Sequence, residues 1–66
     1  MTRICVQAIT YRGIIVGGYS VEMSKSNVYY IWREDMRGNK IRNVGSTFNE
    51  LEARNSAAIY ARIASM

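Results

Sequence analysis

Apolar and polar residues come in short alternating runs over the first two thirds of the chain and at helical spacing over the last third. Thr2 to Tyr11 reads as a first strand of β-branched and apolar residues, ending at a turn near Arg12-Gly13. Ile14 to Met23 reads as a second strand. Its Gly17-Gly18 pair marks a bulge or sharp coiling. Ser24-Lys25-Ser26-Asn27 is the next turn, and the aromatic run Val28 to Glu34 is the third strand. A turn over Met36 to Asn39 leads into a basic strand, Lys40 to Val44. Thr47-Phe48-Asn49-Glu50 then fits a capping box, in which a hydroxyl and a carboxylate each satisfy a free backbone donor. From there to Ser65 there is no Pro or Gly, and five alanines favour helix. The pattern predicts one α+β domain over residues 1–66: a three- to four-stranded antiparallel sheet with one C-terminal α-helix packed on one face (β-β-β-β-α). The strands are expected at 2–11, 14–23, 28–34 and 40–44, and the helix at 48–65.

A four-residue second turn puts Met23 opposite Val28, Val21 opposite Tyr30 and Tyr19 opposite Trp32. These large side chains then share the helix-covered face. The third turn pairs Asp35 with Lys40, Arg33 with Arg42 and Ile31 with Val44, and leaves Asn43 as an awkward core residue. The reverse of the sheet would carry Ser20, Glu22, Tyr29, Ile31, Arg33, Lys40, Arg42 and Val44 in water. The helix bears two apolar stripes. One is Ala53, Ala57, Tyr60, Ala61 and Ala64; the other is Phe48, Leu51, Ile59 and Ile63, broken by Asn55 and Arg62. A helix on a single sheet needs one stripe, so the second implies another contact.

Length limits what the domain can do. A chain of 66 residues buries only about 60% of the surface its unfolded form exposes, which leaves little room for an enclosed active site. Cys5 is the only cysteine, which excludes a disulfide within the chain and a zinc knuckle, and reads as a small core hydrophobe. The longest apolar run, Ile14 to Gly18, is far too short to span a bilayer, and the first residues lack a signal-peptide pattern, so a cytoplasmic protein is expected. Histidine is absent, and the acids make no carboxylate pair or metal cage, so neither an enzyme nor a cofactor is expected. Nine Lys and Arg against five acids give +4, which favours anionic partners, although the charges are scattered singly. Arg33 beside Arg42 on a bare sheet would repel unless a phosphate bridged them, with Tyr29 near enough to hydrogen-bond or stack.

The segment Arg33-Glu34-Asp35-Met36-Arg37-Gly38-Asn39-Lys40-Ile41-Arg42-Asn43-Val44-Gly45-Ser46-Thr47-Phe48 resembles the core of the plant ethylene-responsive-factor DNA-binding domain. That family shows a strand ending in Arg-Asp, a glycine turn, a basic strand, and Gly-Thr-Phe leading into an alanine-rich helix. Tyr11-Arg12-Gly13-Ile14 is similar to its opening Tyr-Arg-Gly-Val. The arm-binding N-terminal domains of phage integrases are similar in layout. The resemblance implies a sheet laid into the major groove of double-stranded DNA, with Arg12, Arg33, Arg42 and Lys40 as contacts. Ser46 departs from the pattern, inserted between Gly45 and Thr47.

Two functions follow. The first is a small DNA-binding protein that contacts duplex DNA through Arg12, Tyr29, Arg33, Lys40 and Arg42. The second is a protein-interaction module, such as a small phage- or prophage-encoded inhibitor of a host protein, or a homodimer, with Leu51, Ile59 and Ile63 as its interface.

Overall fold

Three tight turns connect four strands into an antiparallel meander, and a single helix closes one side of it. The computed structural model describes residues 2–66. The elements are β1 (Thr2–Tyr11), β2 (Ile14–Met23), β3 (Tyr29–Glu34), β4 (Lys40–Thr47) and α1 (Glu50–Ala64), with strand order β1-β2-β3-β4. The α+β class and the β-β-β-β-α order expected from the hydrophobic pattern are both present.

The first turn has two residues, Arg12 (φ 52) and Gly13 (φ 80). Two successive left-handed residues form the primed turn whose twist matches that of the strands it joins. Near it, Ile9 pairs with Gly17 but Thr10 pairs with Ile15, so β2 bulges beside the glycine pair. Gly17 lies close against β3: a Cβ there would sit 2.9 Å from the Glu34 carbonyl oxygen.

The second turn decides which way β3 faces. It has five residues, Ser24 to Val28, one more than the pattern suggested. The Ser24 N–H donates to the Val28 carbonyl at 2.9 Å, and the Asn27 N–H donates back to the Ser24 carbonyl at 3.2 Å. The Val28 N–H reaches Ser24 Oγ at 3.2 Å. Asn27 takes a left-handed conformation, φ 61, which its short polar side chain tolerates. Met23 therefore pairs with Tyr29, Val21 with Ile31, Ser20 with Trp32 and Tyr19 with Arg33. Because side chains alternate with period two, this one-residue slip turns all of β3 over. Tyr29, Ile31 and Arg33 share a face with Tyr19 and Val21, whereas Tyr30 and Trp32 share the other with Ser20 and Glu22. The expected burial of Trp32 beneath the helix is corrected accordingly.

In the third turn the Asp35 N–H donates to the Asn39 carbonyl at 2.9 Å and the Gly38 N–H to the Asp35 carbonyl at 3.1 Å, with Gly38 at φ 83. Arg33 faces Arg42, as the pattern predicts. Register shifts between Ile31 and Trp32 and between Arg33 and Glu34 move the other pairs, so Glu34 faces Lys40 and Ile31 faces Gly45. These replace the expected Asp35–Lys40 and Ile31–Val44 pairs. β4 also runs on to Thr47, past the expected end at Val44.

The helix starts later than the capping-box reading placed it. Its N-cap is Asn49, whose side-chain oxygen accepts from the Glu52 N–H at 2.9 Å. The Thr47 hydroxyl accepts instead from the Asn49 N–H at 3.2 Å, one step before the cap. The core joins Ile9, Tyr19, Val21 and Ile31 of the sheet to Ala53, Ala57 and Ala61 of the helix, flanked by Ile4, Cys5, Tyr29 and Val44. Alanine on the buried side brings the helix axis close to the sheet. It also means that the helix contributes little apolar area to the core.

Two outcomes test the turns. Asn27→Val should cost about 1–2 kcal/mol of stability, and Asn27→Gly close to none, because only the former opposes a left-handed backbone. Equal shifts in the urea midpoint for the two variants would refute the assignment. The Asp35 carboxyl is held below its ordinary 3.8, chiefly by the Asn39 N–H and also by the Arg37 N–H. A depressed carboxyl stabilises fully above its unfolded value and loses that contribution as pH falls through the folded one. The β3–β4 turn should therefore loosen only below about pH 3.8, as an NMR titration of the Asp35 carboxyl would report.

Candidate functional site

The sheet face away from the helix is closed by its own side chains. Glu22 and Glu34 point to this side and are only 7% and 2% exposed. Arg3 stands opposite Glu22 in the β1–β2 register, yet its guanidinium reaches Glu34 Oε2 at 2.8 Å and donates to the Gly38 carbonyl at 3.3 Å. Lys40 stands opposite Glu34, yet its ammonium pairs with Glu22 Oε2 and lies 5.0 Å from the centre of the Trp32 ring. The two bridges thus run diagonally over Ser20 and Trp32. Each buried carboxylate is answered by a cation whose own end reaches water. Ser20 Oγ, Glu22 Oε1 and Trp32 Nε1 are buried there without a hydrogen-bond partner. The expected bare, arginine-bearing reverse is therefore replaced by a neutralised polar layer.

The proposed nucleic-acid contacts do not converge. Arg12 sits at the first turn, 5.3 Å from the ring of its neighbour Tyr11. Tyr29 lies on the helix side, its hydroxyl 3.5 Å from Glu50 Oε1. Lys40 belongs to the polar layer on the opposite face. Arg33 and Arg42 are the pair brought together, at the helix-side end of β3 and β4. Arg33 donates to the Gly18 and Glu34 carbonyls and lies 5.5 Å from the Tyr19 ring, so self-contacts occupy it. Arg42 is exposed and lines an open groove of about 450 Å³ with Tyr19, Asn43, Val44 and Tyr60. The two tyrosine rings stand 5.3 Å apart there. Asn43 is no core misfit: its amide donates to the Ile31 and Gly45 carbonyls where the β3–β4 ladder is irregular.

The apolar surface is where the molecule departs most from a self-contained fold. Of the alanine stripe, Ala53, Ala57 and Ala61 are buried, while Tyr60 and Ala64 at its edge are exposed. Leu51 (67% exposed), Ile59 (50%) and Ile63 (60%) of the other stand in water beside Phe48 at 80%. A second exposed group, Tyr11, Ile14 and Ile15, forms the tip of the β1–β2 hairpin. It joins the helix C-terminus through Thr10, whose N–H donates to Ser65 Oγ at 3.1 Å.

Sequence reasoning missed the Arg3–Glu34 and Lys40–Glu22 bridges, the tyrosine groove and the hairpin tip. The bridges depend on the β3 register, which Asn27 in the second turn could have signalled. The tip was visible as the consecutive Ile14-Ile15-Val16 run, which breaks strand alternation. Comparison of the chain with protein-family models, characterised proteins and solved structures finds no match. Among the described residues, no helix is long and apolar enough to cross a membrane, and no group of three His, Cys, Asp or Glu side chains could hold a metal ion.

The polar layer has an asymmetry that mutation can read. Lys40→Ala leaves a buried carboxylate unpaired and should cost about 2–4 kcal/mol, whereas Glu22→Gln frees only a half-exposed ammonium and should cost roughly half as much. Urea denaturation that ranks the two the other way would contradict the burial pattern.

Proposed function

We propose that this chain is a non-enzymatic protein-interaction module that docks through its exposed apolar side chains. One observation carries the reading: α1 is inside out for a free-standing domain. Ala53, Ala57 and Ala61 occupy the core, and Leu51, Ile59 and Ile63 face water. Reversing the helix would bury far more apolar surface, at about 25 cal/mol per Å², so the present arrangement sacrifices stability for a sticky outer face. The exposed hairpin tip adds a second apolar element at the C-terminal end of the same helix.

The nucleic-acid reading draws support from the +4 charge and from Arg42 beside two tyrosines, a pairing of cation and stacking surface. Against it, Lys40 is matched by Glu22, and the residues implied by the likeness to the ethylene-responsive-factor domain lie on several different surfaces. The protein-docking reading uses the larger and more continuous set of exposed groups.

The test is cross-linked capture from cell extract, with and without nuclease, alongside titration of duplex DNA at low salt. The expected result is a nuclease-resistant adduct that falls about tenfold in the variants Ile14→Asp with Ile15→Asp and Leu51→Ser with Ile59→Ser, all retaining native circular dichroism. Capture abolished by nuclease, or DNA binding that weakens steeply with salt and is indifferent to these variants, would overturn the reading.

A further inference from the structure

We infer that the uncovered corner of the helix-side face, between Tyr60, Tyr19 and Arg42, is a binding site for a small aromatic phosphate monoester. The site shares no residue with the apolar elements of the docking reading and goes beyond it. Its place follows from the path of the helix. α1 begins over the start of β3, where Tyr29 meets Glu50, and ends over the close of β1, where Thr10 meets Ser65. In an antiparallel meander these are diagonal corners, so the end of β3 and the start of β4 stay uncovered on this side. The open groove of about 450 Å³ lies there, and its size is that of a small-molecule site.

Charge is the first reason for the ligand class. Arg33 and Arg42 are direct partners across β3 and β4, so their side chains rise from adjacent points, where like charges repel. None of the five acids answers them. Glu22 and Glu34 are on the reverse of the sheet, paired with Lys40 and Arg3. Asp35 is engaged by the Arg37 and Asn39 N–H groups of its own turn. Glu50 pairs with Arg54, and Glu52 is more than two helical turns from Tyr60. Arg33 is also held in place. Gly17 has no Cβ to obstruct its guanidinium, which donates through Nη1 to the Gly18 and Glu34 carbonyls. Its Nε and Nη2 make no hydrogen bond among the described residues. A phosphate monoester carries a charge of about −1.5 to −2 and so matches two guanidiniums, where a carboxylate matches one.

Shape is the second reason. Tyr19 lines the groove and is only 9% exposed, yet its hydroxyl has no hydrogen-bond partner among the described residues. Its ring packs against Tyr60, and Val44 completes an apolar wall. Tyr60 keeps 39% of its surface open, enough to receive a second ring. The groove thus offers a cation, a buried hydroxyl and a stacking surface side by side. It has room for one nucleotide-sized molecule rather than a strand.

Amide NMR titration of the full chain at low salt tests this. The probes are AMP and phenyl phosphate, with adenosine, inorganic phosphate and an octadeoxyadenylate for comparison. AMP and phenyl phosphate should shift the amides of Arg42, Asn43, Val44 and Tyr60 saturably. AMP should bind about tenfold more tightly than adenosine or inorganic phosphate, because each half alone forfeits the contacts of the other. R42A should weaken AMP about tenfold by removing charge-assisted hydrogen bonds. Y60A should weaken it by a similar factor and leave inorganic phosphate unchanged, because it removes the stacking surface alone. Both side chains are exposed, so native circular dichroism is expected. No saturable shift at these residues, AMP binding indifferent to both variants, or inorganic phosphate held as tightly as AMP would each overturn the inference. Octadeoxyadenylate binding more than about tenfold tighter than AMP would also overturn it, by giving the groove to a nucleic-acid strand.

Discussion

The orientation of β3 governs everything that this molecule shows to its surroundings, and a single backbone conformation sets it. Asn27 in the left-handed region gives the β2–β3 loop its fifth residue, and five rather than four inverts the parity of the strand. With that parity Ile31 completes the core beside Val21, and Arg33 folds over Tyr19. Trp32 is sent to the far side, where Lys40 crosses it on the way to Glu22. With the opposite parity the sheet would have one aromatic face and one cationic face. The difference between a groove-reading surface and a neutral polar layer thus rests on one residue of loop.

The polar layer on the far face does work that a second helix does in larger domains. Two carboxylates are withdrawn from water, and two long cationic side chains lie diagonally across the strands to neutralise them. Their aliphatic stems cover apolar surface while the charged ends stay wet. A chain this short can shield both sides of its sheet in this way, using the one helix for the other side. The arrangement engages two of the nine Lys and Arg side chains with two of the five acids, so the +4 excess is carried entirely by residues outside the layer.

Much of the fold was legible in the sequence. The strand runs, the Arg12-Gly13 and Gly38 turns, the glycine-pair bulge and the alanine helix all carry local signatures, and each lies where its signature put it to within a few residues. The helix start slipped because Thr47 and Asn49 are both good caps, and Thr47 was absorbed into the lengthened β4. The faces were not legible in the same way. Register depends on loop length and on left-handed residues, and neither Asn27 nor the two irregularities along β4 changes the hydrophobic pattern. Candidate sites inherited that error, since Tyr29, Arg33 and Lys40 were grouped by a parity the chain does not adopt. The helix stripe Leu51, Ile59 and Ile63 escaped it, because helical spacing is intrinsic to its own segment.

Both outer strands of the sheet are interrupted: β1 once, at Ile4 between Arg3 and Cys5, and β4 twice, at Ile41 and Val44. Kinked margins make poor templates for backbone pairing with a neighbour. A molecule with this much oily surface and straight margins would be prone to stack into fibrils. Here strand-to-strand growth is discouraged at both edges of the sheet.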